Sequence, residues 1–166
     1  MEDGIIFSLA VALGRVLAAR GALCTTAESC TGGLVAGAIT DVPGSSAWFD
    51  RGFVTYTNDA KQQMLGVPAA VLAEHGAVSE ATARAMATGA LARSAAGFAV
   101  AVTGVAGPAG GSPAKPVGLV YFAWAERDGA VVVATHRLPG DRAAVRRAAV
   151  VTALAGLHSL AGGLPG

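Results

Sequence analysis

Lysine is almost absent from this 166-residue chain: Lys61 and Lys115 stand against ten arginines. With so few, each lysine needs its own explanation. Cysteine is as rare, and Cys24 and Cys30 lie six apart with no second Cys or His cluster nearby. That spacing excludes a disulfide framework and a zinc signature. Charged residues make up 14% of the chain and the formal net charge is +1, so there is no basic footprint for nucleic acid. Aromatics are few, and the apolar content of 53%, much of it Ala and Val, predicts tight helix-on-sheet packing rather than disorder. The longest uncharged run, 94–114, is broken by glycines and prolines and does not read as a membrane span. Glu2 and Asp3 are the opposite of a signal peptide's basic start. A soluble protein of one domain, 1–166, in a reducing cytoplasm is the expectation.

Ile6, Leu9, Leu13, Val16 and Leu17 recur at helical spacing and predict a helix over 5–20, stopped by Gly21. A strand is expected at 22–27, a helix at 31–40, a turn at 41–46 and a strand near 51–57. Asn58 and Asp59 are placed to cap a short helix carrying Lys61. Pro68 opens a further helical piece ending near Gly76, and Ser79 with Glu80 starts an Ala-rich helix to about Ser94. The continuous apolar run 98–102 reads as a buried central strand. Strands at 117–125 and 130–138 flank Asp128-Gly129, a hairpin signal, and Asp141 caps a last helix. The sum is a single α/β domain, three-layer-like, with a mixed sheet flanked by helices.

Two glycine-rich loops each follow a predicted strand, at 29–33 and 103–116, and ligands gather beyond the carboxyl ends of such strands. Neither loop has the spacing of a P-loop or a dinucleotide fingerprint. In the stretch Thr25-Thr26-Ala27-Glu28-Ser29-Cys30-Thr31-Gly32-Gly33, N–H groups near Thr31, Gly32 and Gly33 could hold an oxyanion or a phosphate. Equally, the glycines could serve only close packing. Ser29, Cys30 and Thr31 all compete as nucleophile, and Ser29 competes with itself as a helix cap. The absence of Glu or Gln at position 32 removes the capping box. Cys30 reads as a buried structural thiol, having no neighbouring base. Glu28 is either a general base or a hydrogen-bond partner of the turn.

A serine nucleophile needs a base, and His75, His136 and His158 all stand outside Gly- or Ser-rich settings. A Ser–Lys arrangement is the alternative. Lys61 lies at a polar strand-to-helix junction, with Tyr56 close in sequence as a group to hold or relay a proton. To act near neutrality its pKa must fall by about three pH units from roughly 10.4, a differential cost of about 4 kcal/mol that burial can supply. The competing reading is an ordinary surface lysine paired with Asp59 or water. Lys115, between prolines, suits an anion contact or solvent. Arg142, Arg146 and Arg147 read as a solvated helix face, with reach towards an anionic substrate as the sharper alternative; Asp141 and Arg142 could instead pin the preceding loop.

The blocks TAESCTGG, ITDVPGSSAWFDRGFVTYTNDAK, HGAVSE, AVTGVAGPAGGSPAKPVG and GDRAAVRR, in this order over about residues 5–160, resemble the C-terminal domain of the competence/damage-inducible CinA proteins. Stand-alone members of that family are nicotinamide-nucleotide amidohydrolases. The resemblance implies hydrolysis of the carboxamide of nicotinamide mononucleotide, without metal or cofactor, by Ser29 as nucleophile, Lys61 as base and Tyr56 as proton-handling partner. It implies substrate contacts from Thr31, Gly32, Gly33, Ser46, Asn58, Thr103, Gly104, Gly107 and Lys115. The partners expected are a small nucleotide substrate and a second copy of the chain in a homodimer, with no nucleic acid and no membrane. A non-catalytic nucleotide- or partner-binding module is the rival reading, and an amidase acting on another pyridine amide is a second.

Overall fold

The computed structural model describes residues 2–162. Its elements are α1 (Glu2–Arg20), β1 (Cys24–Glu28), α2 (Leu34–Thr40), a 3-10 turn (Ser45–Ala47), β2 (Phe49–Val54), α3 (Asn58–Leu65), α4 (Ala69–His75), α5 (Glu80–Ala92), β3 (Phe98–Gly104), β4 (Leu119–Glu126), β5 (Val131–Arg137) and α6 (Arg142–Gly162). One five-stranded sheet runs in the order β2-β1-β3-β4-β5. β1 is parallel to both β2 and β3, whereas β4 and β5 are antiparallel. The mixed sheet expected from the late hairpin is present, and Asp128 takes the positive φ of 57° that its turn requires.

Side chains alternate across each strand, so the central strands present two different faces. Phe98, Val100 and Val102 of β3, with Val120, Phe122 and Trp124 of β4, pack with α1, α2 and α6. Ala99 and Ala101, with Ala123 and Ala125, pack instead beneath α5 and its neighbours. Large residues thus fill one layer and alanines draw the other close. Gly89 marks the tightest approach, since a Cβ there would collide with the Leu65 carbonyl at the end of α3. Three layers result: α1/α2/α6, sheet, α3/α4/α5.

The connection β1-α2-β2 crosses one face, and β2-α3-α4-α5-β3 returns on the other to the far side of β1. The chain therefore reverses its winding between β1 and β3. Beyond their carboxyl ends a crevice opens, the place where open α/β sheets bind ligands. Both glycine-rich loops leave the sheet there.

Three boundaries differ from expectation for physical reasons. The second helix starts at Leu34, not residue 31, because residues 29–33 form the turn, with Gly32 and Gly33 at φ 56° and 101°. β2 runs Phe49–Val54 and stops short of 57, although Thr55 N still donates to Glu28 O at 2.8 Å. Thr57, rather than Asn58 or Asp59, caps α3: its Oγ1 accepts from Ala60 N at 3.1 Å.

Candidate active site

Ser29 leaves β1 with its N–H donating to Val102 O of β3 at 3.0 Å, so the turn is fastened to the sheet at its first residue. Its carbonyl accepts from Gly32 N at 3.0 Å. Ser29 does not cap α2. That work falls to Glu28, a buried carboxylate one residue earlier, which accepts from Gly33 N at 3.2 Å, Val35 N at 2.8 Å and Ala36 N at 3.0 Å. Glu28 is thus occupied by the helix that follows the turn. A negative group at a helix N-terminus also suits the helix dipole.

These contacts use the N–H groups of Gly32 and Gly33. The N–H groups of Cys30 and Thr31 donate to no acceptor among the described residues. From the opposite side, α6 sends Arg146, whose Nε donates to Cys30 O at 3.1 Å and whose Nη2 donates to Thr31 O at 3.3 Å. Thr31 Oγ1 is buried and finds no partner among the described residues.

Lys61 lies on α3 and is fully buried. Its Nζ is 3.0 Å from Ser29 Oγ, 2.8 Å from Thr55 O and 3.3 Å from Tyr56 O. Removal from water pushes its pKa down to about 8, against an opposing influence from Cys30. No carboxylate among the described residues bonds the amine. An ion pair with Asp59, the bland reading of the sequence, is not formed. Burial pushes the Cys30 thiol up to about 11, so at neutral pH it is a thiol beside the serine rather than a thiolate.

Ser29, Cys30, Tyr56 and Lys61 line one cleft of about 280 Å³ together with Ala77, Val78, Thr103, Gly104, Gly107 and Arg142. Of the residues expected from sequence, Ser29, Lys61, Tyr56, Thr103, Gly104 and Gly107 come together here, and Thr31, Gly32 and Gly33 form the turn beside them. Thr103 Oγ1 donates to Ala77 O at 2.7 Å, which ties β3 to the loop before α5. Tyr56 lies at the rim, with its phenol oxygen accepting from Arg142 Nη2 at 3.1 Å.

Three expected contacts lie away from both the cleft and the turn beside it. Asn58 is exposed at the start of α3. Lys115 Nζ donates to His75 O at 2.6 Å, fastening the long loop to the end of α4. Ser46 is exposed before β2, and the parallel register of Cys24 with Phe49 and Glu28 with Val54 puts it at the other end of the sheet.

Arg142 is more than a solvated helix residue. Its Nη1 donates to Gly107 O at 2.8 Å, so it braces the 103–116 loop rather than the loop before its own helix. The signal was the helix start marked by Asp141, whose Oδ1 accepts from Ala144 N at 2.9 Å and so aims the first turn of α6 at the cleft.

The CinA C-terminal domain family model matches residues 6–161. The chain belongs to the CinA C-terminal domain family. It is 54% identical over 154 residues to the nicotinamide-nucleotide amidohydrolase PncC of Escherichia coli K12, with 93% of each chain covered. The PncC of Pseudomonas putida is 56% identical over 156 residues, covering 93% of this chain and 96% of that one. Among solved structures, the competence/damage inducible protein CihA of Agrobacterium tumefaciens superposes with a TM-score of 0.92 at 54% identity, covering 94% of this chain and 95% of that one.

Proposed function

We propose that this protein hydrolyses the carboxamide of nicotinamide mononucleotide to nicotinate mononucleotide and ammonia, with Ser29 as nucleophile and Lys61 as its general base. The activity named for relatives more than half identical supports the reaction. The observation that carries the mechanism is the set of partners around Lys61 Nζ. Two of the three are backbone carbonyls, which only accept. A neutral amine has two N–H bonds for those carbonyls and one lone pair left, and the remaining neighbour is the Ser29 hydroxyl. The lone pair is thereby turned towards the proton it has to take.

With a pKa of about 8, about one Lys61 in ten is neutral at pH 7. Ser29 Oγ then attacks the carboxamide carbon as its proton passes to Lys61. The oxyanion accepts from the Cys30 and Thr31 N–H groups, one of them on the residue directly after the nucleophile. Lys61 returns the proton to the departing nitrogen, which leaves as ammonia. Water attacks the acyl-enzyme as Lys61 takes its proton, Lys61 returns that proton to the departing Ser29 Oγ, and the released acid ionises to the carboxylate product.

The 280 Å³ cleft is assigned to the pyridine ring, whose carboxamide it would bring to Ser29. A larger hollow of about 650 Å³ shares Ala106 and Arg142 with it and offers room for the ribose phosphate. Arg142 supplies positive charge where the two meet. The N–H groups of Ala106, Gly107, Ala109 and Gly110, which donate to no acceptor among the described residues, supply further donors. Pyridine-nucleotide recycling in a reducing cytoplasm by a homodimer completes the proposal. No described helix is long and apolar enough to cross a membrane, and light scattering reads the assembly directly.

Ammonia release from nicotinamide mononucleotide by the wild type, Ser29→Ala and Lys61→Ala tests the reading. Each variant is expected to lose at least about 10³-fold in kcat. Wild-type turnover in Ser29→Ala would remove the serine from the mechanism, and binding of the nucleotide without turnover in the wild type would make the domain a binding module.

A further inference from the structure

We propose that Arg146 is a positioning residue for oxyanion binding, acting through the two backbone carbonyls that it holds. The inference builds on Ser29 as nucleophile. Arg146 is not among the groups lining the Ser29 cleft; it lies between the two neighbouring hollows. One of these is the hollow assigned to the ribose phosphate, but the carboxamide end of the site is reached by Arg146 only through the backbone of the turn.

The peptide bond gives that contact its direction. In a planar trans peptide the carbonyl of one residue and the N–H of the next point opposite ways. Nε of Arg146 holds Cys30 O at 3.1 Å, so the Thr31 N–H of the same peptide plane is turned away from the guanidinium. Nη2 holds Thr31 O at 3.3 Å and fixes the next plane. Two adjacent planes gripped by one rigid fork cannot rotate independently. The N–H so oriented donates to no acceptor among the described residues. A charged donor on the carbonyl also polarises the peptide, which makes that N–H a stronger donor to an oxyanion.

Gly32 supplies the backbone conformation of the turn, φ +56°, which side-chain-bearing residues rarely adopt; a Cβ there would meet Arg146 Nη2 only at ordinary contact distance, 3.4 Å. The other arginines of this helix face have different partners: Arg142 binds Gly107 O and the Tyr56 phenol, and Arg147 pairs with Asp3 at the surface.

The test compares Arg146→Ala, Arg146→Lys and, as a control for charge on the helix, Arg147→Ala. Arg146→Ala is expected to lower kcat about 10- to 100-fold, less than the ~10²–10³ of deleting an oxyanion donor outright. KM is expected to rise as well, because Arg146 also lines the hollow assigned to the ribose phosphate, so the oxyanion role is read from kcat and from the Thr31 amide. Arg146→Lys, with one compact donor group in place of the fork, should recover only part of the loss. Added guanidinium ion should restore part of the rate to Arg146→Ala, and Arg147→Ala should turn over normally. Independently of any assay, the Thr31 amide resonance in ¹H–¹⁵N spectra should move upfield in both Arg146 variants as the peptide loses its polarising partner. Wild-type kcat in Arg146→Ala, or an unmoved Thr31 amide, overturns the inference. Inactivity of the wild type on the nucleotide would sink the proposed reaction instead, and the Thr31 resonance would still decide the role of Arg146.

Discussion

Glu28 Oε1 accepts from Val35 N at 2.8 Å, joining the last residue of β1 to the first turn of α2 across the Ser29 turn. The same carboxylate also takes Gly33 N and Ala36 N, and Thr26 Oγ1 donates to it at 3.4 Å. Residues 29–32 are therefore held from both ends by one side chain. Glu28→Gln keeps the shape but aims a donor NH₂ at groups that are themselves donors. A loss of about 2–4 kcal/mol is expected, since hydrogen bonds to a buried charged acceptor go unmade. Urea unfolding of the variant measures it, and a change below about 0.5 kcal/mol would mean that water can replace the carboxylate.

Lys61 carries a pH dependence whose sign is fixed by its burial. Its pKa in the fold, about 8, lies below the ordinary 10.5. In the proposed mechanism the neutral amine is the base, so kcat/KM should rise with pH and level off above about 8. Stability follows the same linkage. Between pH 8 and 10.5 the unfolded chain binds more protons at this site than the folded one, so folding gains stability as pH rises through that window. Below pH 8 the full cost of enclosing the ammonium remains. Relative to Lys61→Met, the wild type should gain about 3 kcal/mol between pH 7 and pH 10.5. Paired urea titrations at the two pH values isolate the difference, and parallel curves would place the titration elsewhere.

Much of the fold was legible because its signals are local. Asp128-Gly129 between apolar runs announces the β4–β5 hairpin, and Ser79 announces α5 by accepting from Thr82 N at 3.2 Å. The order of strands is not local, and the reversal between β1 and β3 that makes the cleft is visible only in the assembled sheet. Glu28 escaped the capping rules because it stands five residues before the helix cap, inside a strand.

The site divides along the same line. Ser29 and the loop at 103–107 could be named because glycines mark strand ends. The burial of Lys61 could not be read, since α3 is mostly polar by sequence and only the layers above it close the amine off. Lys115 and Ser46 show the converse, since the fold sets both apart from the Ser29 cleft. Each sits in a turn-rich block, but one is tied to His75 O and the other lies at the far end of β2. Arg142 and Arg146 look like a solvated helix face until the fold brings the cleft and the Ser29 turn against it.

Tyr56 contributes to the site by two different atoms, and they can be separated. Its backbone carbonyl accepts from Lys61 Nζ at 3.3 Å, whereas its phenol is bound to Arg142 at the rim and the residue as a whole is 59% exposed. A group so open to water is a poor place to hold a proton needed inside the cleft, where general acid–base catalysis is worth about 10²–10⁴-fold. Tyr56→Phe removes the phenol and leaves the carbonyl. The expected result is a fall in kcat of no more than about tenfold, with the pH midpoint still near 8 because the environment of Lys61 is unchanged. Arg142, freed of one partner, still holds Gly107 O. A loss of about a thousandfold in Tyr56→Phe, or a displaced pH midpoint, would put the phenol on the proton path and make Lys61 only one of two groups that move the proton.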